Sequence, residues 1–135
     1  MCLTITPKTR LRTARKDIVC YKVLISRYGK LVSPYYSETE WEVGKTNVEE
    51  KRWDVDYCPN GFADSYFRVV SKGGFHTFAN RKDAEKRLPG VKPNRRHNIV
   101  VAECVIPKGT KYYNGTQGMT DDGYCSKSLR IEKIL

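Results

Sequence analysis

Apolar residues recur along this chain mostly at a spacing of two, the signature of strands. In residues 17–26, DIVCYKVLIS, Val19, Tyr21, Val23 and Ile25 fall on one face and Ile18, Cys20 and Leu24 on the other. Both faces are apolar, which predicts a strand central in a sheet. Residues 99–107, IVVAECVIP, are the most hydrophobic run and predict a second central strand. Shorter strands are expected at 65–70 and 74–79, at the edges around 41–43 and 53–55, and in the closing segment YCSKSLRIEKIL. Helical spacing occurs once: Ala84 and Leu88 are four apart, Asn80 stands where an N-cap belongs, Asp83 follows three residues later, and Pro89–Gly90 stops the run. Gly29, Pro34, CPNG, SKGG and PKGT read as turns or breaks. KYYNGTQGMTDDG is rich in turn residues and reads as a loop, and VKPNRRHN reads as a basic loop. Residues 1–16 lack apolar periodicity and are expected to form a basic N-terminal arm, with residues 17–135 as one domain. The expected fold is α+β: a single domain with a mostly antiparallel twisted sheet of about six strands and one clear helix at about 80–88.

Composition narrows the function more than the fold. A chain of 135 residues suits one domain with one core. No stretch approaches the ~20 apolar residues of a membrane-spanning helix, and the Arg-rich start has no apolar signal region, so a cytoplasmic protein without a membrane partner is expected. Cys2, Cys20, Cys58, Cys104 and Cys125 are scattered without a C-x-x-C pair, and His76 and His97 are the only histidines. That pattern points to reduced structural thiols, with no metal and no cofactor. No carboxylate pair has a spacing that suggests acid–base partners, no G-x-S-x-G motif is present, and Cys2, a nucleophile if Met1 were removed, is followed by Leu3 and has no base beside it. The balance leans away from an enzyme.

Charge is distributed in blocks. Residues 1–30 carry eight basic and one acidic side chain, residues 31–67 three and eight, residues 68–98 nine and two, and residues 99–135 five and four. Two basic blocks therefore bracket an acidic one within a net charge of +10. The blocks either neutralise one another across the fold or leave a basic face for an anionic partner. Arg81 and Lys82 stand in the first turn of the expected helix, where the dipole disfavours cations and a bound phosphate would reverse the sign. Gly73 and Gly74 would allow close backbone approach. These features suggest a ligand site of Gly74, His76, Arg81, Lys82, Tyr21, Lys22 and Tyr124, with phosphate near Gly74, Arg81 and Lys82, and with His76 and a tyrosine against a base or sugar. Asp83 beside the same helix start, and aromatic neighbours that would bury His76, give the plainer reading of a strand meeting a helix.

The segments VCYKVL, GGFHTFANRKDAEK, VIPKGTKYY and GYCSKSLRI resemble small uncharacterised proteins of gut bacteria and their phages. The middle and end also resemble a degenerate ADP-ribosyltransferase-like pattern. Tyr21 is followed by Lys22 where that family has Arg or His, GGFHTF with a following Asp–Ala fits its middle element, and DDGYCSKSL lacks its late glutamate. What that resemblance implies is the fold and an affinity for nucleotides rather than transfer chemistry. The leading expectation is a non-catalytic binding protein for a phosphate-bearing ligand, most simply a nucleotide or nucleotide-derived signal, with sequestration of such a signal for a phage or mobile element as an extension. The alternative is a nucleic-acid-binding protein using Lys8, Arg10, Arg12, Arg15 and Lys16 of the arm with Arg95 and Arg96 of the basic loop. A second alternative is a protein-interaction module or inhibitor using the acidic segment around Trp41 and Trp53.

Overall fold

The computed structural model describes residues 3–33, 39–59, 66–87, 97–117 and 120–135. Thirteen strands and one short helix succeed one another: β1 (Leu3–Ile5), β2 (Arg12–Thr13), β3 (Ile18–Arg27), β4 (Lys30–Val32), β5 (Glu40–Trp41), β6 (Thr46–Val48), β7 (Asp54–Pro59), β8 (Tyr66–Lys72), β9 (Phe75–Phe78), α1 (Arg81–Lys86), β10 (His97–Ile106), β11 (Lys111–Gln117), β12 (Asp121–Ser126) and β13 (Ser128–Ile134). They form one sheet in the order β6-β13-β10-β3-β9-β12-β11-β1-β8-β7, with every strand pairing antiparallel. The hairpin of β4 and β5 extends from the outer half of β3, and β2 from the start of β11.

This overturns the expected α+β fold of about six strands. The protein is nearly all sheet, and its helix is six residues long. Ala84 is the one buried residue of α1, so the helix has a single apolar anchor and rides on β3 and β10 instead of forming a layer. Its Asn80 is extended but makes no side-chain cap; the amide instead donates to Asp83 Oδ2 at 3.3 Å.

The two strands expected to be central are central. β3 and β10 pair over ten residues, from Ile18 opposite Ile106 to Arg27 opposite His97. Cys20, Leu24, Ala102, Cys104 and Ile106 project from one face of this pair into a core completed by Trp41, Phe75, Leu129 and Ile131. Val23 and Val101 project from the opposite face and pack with Phe78 beneath Ala84. A third cluster, Leu3, Ile5, Val70 and Cys125, is packed against Trp53, Val55 and Tyr113.

Residues 3–5 and 12–13 are not an arm. β1 is inserted between β8 and β11, with Leu3 opposite both Val70 and Gln117 and with Leu3 and Ile5 buried. The segment KYYNGTQGMTDDG is not a loop either, because residues 111–117 and 121–123 pair as β11 and β12. Composition misleads there because its glycines serve the sheet. Gly115 and Gly123 stand opposite one another, and a Cβ on Gly123 would come within 2.6 Å of the Thr77 carbonyl oxygen. The closing segment is two strands, β12 and β13, separated by Lys127. β6 within the acidic segment was not expected at all. Cys20, Cys104 and Cys125 are buried and form no disulfide among the described residues; Cys2 and the side chain of Cys58 lie outside them, as do Pro34 and the 91–96 part of the basic loop.

Candidate functional site

The residues proposed for a nucleotide site do not converge. Arg81 and Lys82 are exposed on α1, which lies against the Val23 and Val101 face of the sheet. Arg81 is already engaged, its Nε 2.7 Å from Glu85 Oε1, one turn along the helix. Lys22 alternates with Cys20 and Leu24 and so belongs to the opposite face. Its ammonium donates to the His76 carbonyl at 2.9 Å and stands 5.8 Å from the centre of the Trp41 ring. That position has a structural cause. β3 and β9 pair only at Tyr21 and Phe78 before β3 turns its edge to β4, so Lys22 closes the seam where a ladder bond to His76 is lacking. Burial lowers the Lys22 pKa from its usual range, with the thiols of Cys104, Cys125 and Cys20 opposing the shift.

His76 is packed rather than presented. Its Nε2 lies 3.6 Å from Cys125 Sγ, and burial, reinforced by the nearby Lys22 charge, lowers its pKa to about 3. Burial likewise pushes Cys20 up to about 12, Thr77 and Lys22 pulling weakly the other way. Tyr124 lies edge-on to Tyr112, with ring centres 5.8 Å apart, and burial raises its pKa. Tyr21 is half-buried and packs beside Val23 and Phe78.

Gly73 and Gly74 do permit a close backbone approach, but by the protein itself. A Cβ on Gly73 would meet the Arg52 carbonyl and come within 2.6 Å of Trp53 Cα, while one on Gly74 would lie 2.5 Å from Trp53 Cζ3 and 2.6 Å from Cys125 Sγ. Residues 52–53 therefore cross over the double glycine where the phosphate was expected.

The residues of the nucleic-acid alternative behave differently. β2 lays Arg12 opposite Tyr112 and Thr13 opposite Lys111. Ala14 N–H donates to the Thr110 carbonyl, and Gly109 N–H donates back to the Ala14 carbonyl, which fixes the turn bearing Arg15 and Lys16 beside the turn bearing Lys108. The Lys127 backbone N–H then donates to the Lys111 carbonyl at 3.0 Å, and its ammonium reaches the Lys51 carbonyl. Arg52 follows in sequence. Lys111, Lys127, Lys51 and Arg52 thus form a short strip of cations, while Arg12, opposite Tyr112, projects from the other face of the ladder. Arg10 follows the β1–β2 turn, which Arg68 holds by donating to the Thr6 and Thr9 carbonyls. Lys8 lies in that same turn; Arg95 and Arg96 lie outside the described residues.

Ion pairing engages some of the other cations, although Arg27, Lys45, Lys72, Lys82 and Lys108 have no such pair among the described residues. Lys30, Arg81, Lys86, Arg87, Arg130 and Lys133 each have a carboxylate within 4.0 Å. Among the described residues no such pair involves Arg10, Arg12, Arg15, Lys16, Lys51, Arg52, Lys111 or Lys127. Asp17 accepts from the Lys108 backbone at 2.9 Å. At one end of the strip lies an open depression of about 540 Å³ lined by Glu50, Lys51, Arg52, Trp53 and Lys127.

Lys51, Arg52, Lys111 and Lys127 were missed from the sequence. The only local signal was KRW, a basic pair beside an aromatic, hidden because its block averages to net negative charge. Among the described residues no cluster of three or more His, Cys, Asp or Glu is placed to hold a metal ion. No described helix is long and apolar enough to cross a membrane. Comparison with protein-family models, curated proteins and solved structures gives no match.

Proposed function

We propose that the protein binds nucleic acid through the strip of cations joining Lys111, Lys127, Lys51 and Arg52. The reading keeps the phosphate-bearing partner expected from the charge and replaces the nucleotide pocket by an extended surface. The observation that carries it is convergence: Lys51, Arg52 and Lys127 line one open depression, Lys111 stands beside Lys127, and none of the four has a carboxylate within 4.0 Å among the described residues. Adjacent strands are ~4.8 Å apart, so a strip from β11 across the Lys127 bend to residues 51–52 extends over ~10 Å. That length matches several phosphates of a polymer better than the single cluster of one nucleotide. Phosphates release counterions when they meet such cations, a favourable contribution that requires no enclosed cavity.

The test is fluorescence anisotropy with a labelled oligonucleotide at low salt. Lys51→Glu/Lys111→Glu, both on exposed side chains, is expected to weaken binding at least ~30-fold, reversing two of the contacts. Arg81→Glu/Lys82→Glu is expected to leave it within about two-fold. If the helix pair matters and the strip pair does not, the reading is wrong.

A further inference from the structure

We infer that the depression at the end of the strip takes an unpaired base, so that the ligand is single-stranded, with Trp53 as its stacking platform and Lys127 as a cation that moves from ring to phosphate. The inference rests on the nucleic-acid reading and specifies its ligand. Trp53 is half-buried and rigidly placed. Its ring lies over Gly74, where even a methyl group would collide, and Tyr113 meets it edge-on with centres 5.0 Å apart at 73°. The Lys127 ammonium stands over the ring, 4.3 Å from its centre. The two tryptophans differ in this respect, since Trp41 is buried in the main core against Phe75.

A cation on an indole face is held by the ring quadrupole, an attraction of modest size at an exposed position. A phosphate offers the same ammonium a full negative charge. A strand laid along the strip would therefore draw Lys127 off the ring and leave the face to a base. Base-on-aromatic stacking suits every base, because each has a π-face. Glu50 decides between a base and a phosphate in the depression. A carboxylate on the lining would repel phosphate, whereas it can accept a hydrogen bond from the exocyclic amine of a base. In a duplex the bases are stacked on one another, so only an unpaired strand can supply one.

The experiment compares a 12-nucleotide oligo(dC) with a duplex of equal length and with heparin, using anisotropy and tryptophan emission on the full chain. The unvaried protein is expected to show emission quenched by oligo(dC) and not by duplex or heparin. Trp53→Leu keeps an apolar body beneath the strip; it is expected to lose about ten-fold in affinity for oligo(dC) and less than two-fold for duplex and heparin. Equal quenching by all three polyanions, or an unchanged affinity of Trp53→Leu for oligo(dC), overturns the inference. Both results leave the nucleic-acid reading standing, because that reading depends on Lys51 and Lys111. If Trp53→Leu does not fold, the quenching comparison on the unvaried chain decides alone. Failure of the unvaried protein to bind either nucleic acid at low salt overturns the underlying reading instead.

Discussion

Lys22 is the least comfortable residue in the fold. Its ammonium is buried, and among the described residues it has a carbonyl and an aromatic face for company but no carboxylate. Burial lowers its pKa, so over the interval between the folded and unfolded values the unfolded chain binds more protons, and stability rises with pH up to about 10.5. Lys22→Met removes that penalty but leaves the His76 carbonyl without its donor. The net expectation is a gain of about 1 kcal/mol in urea unfolding at pH 7, shrinking as pH approaches 10.5. A variant less stable at pH 7 would mean that the seam-closing hydrogen bond outweighs the buried charge. His76 acts at the other end of the scale. Its folded pKa is depressed to about 3, so it stays neutral in the fold while the unfolded histidine takes a proton below about 6.5. Stability is therefore expected to fall from pH 6.5 downward, by at most about 1.4 kcal/mol per pH unit from this group. His76→Gln should flatten that limb of the urea-midpoint profile, and an unchanged slope would place the acid sensitivity elsewhere. At this scale the sequence was informative about character and silent about orientation. The aromatic neighbours of His76 announced burial, but nothing in VCYKVL said that Lys22 would point inward to close a gap between strands.

The elements were readable where apolar residues occupy both faces of a strand, as in β3 and β10, because no other local structure explains such a run. They were unreadable where pairing overrides composition. β11 contains Asn114 and Gly115 within a strand because Gly115 must clear the β1 backbone and the side chains of Ile5 and Leu3, and because Asn114 Nδ2 donates to the Gly123 carbonyl across the ladder at 3.1 Å. β1 is three residues long and looks like part of a charged tail, yet it lies between two strands. Leu3→Ala is accordingly expected to destabilise by about 2–4 kcal/mol in chemical unfolding, whereas a true arm would tolerate it without effect. The glycine turn gives a second contrast. Gly73 has φ +90° and sits against the backbone of residues 52–53, while Gly109 has φ +88° with nothing within 4 Å of a Cβ. Gly109→Ala should cost about 1 kcal/mol for its left-handed backbone alone. Gly73→Ala should cost about 3 kcal/mol or more, since either the crossing segment or β9 must move. Equal losses at the two positions would contradict the crossing.

At the scale of the molecule, the topology decides which charges meet. Lys111, Lys127 and Lys51 are distant in sequence and become neighbours through the hydrogen bonds of the Lys127 bend. Block-averaged charge could reveal a surplus of cations but not this alignment, and it placed the surplus on the helix, where Glu85, Asp83 and Asp121 neutralise Arg81, Lys86 and Arg87. The most direct measurement is the salt dependence of oligonucleotide affinity between 50 and 200 mM, for the unvaried protein and for Lys51→Glu/Lys111→Glu. About four strip cations on a single strand give a slope of about −3 in log affinity against log salt, and the double variant should be shallower by about 1.5. A slope near zero, or one that the double variant does not change, would contradict the claim that this strip exists to hold a polyanion.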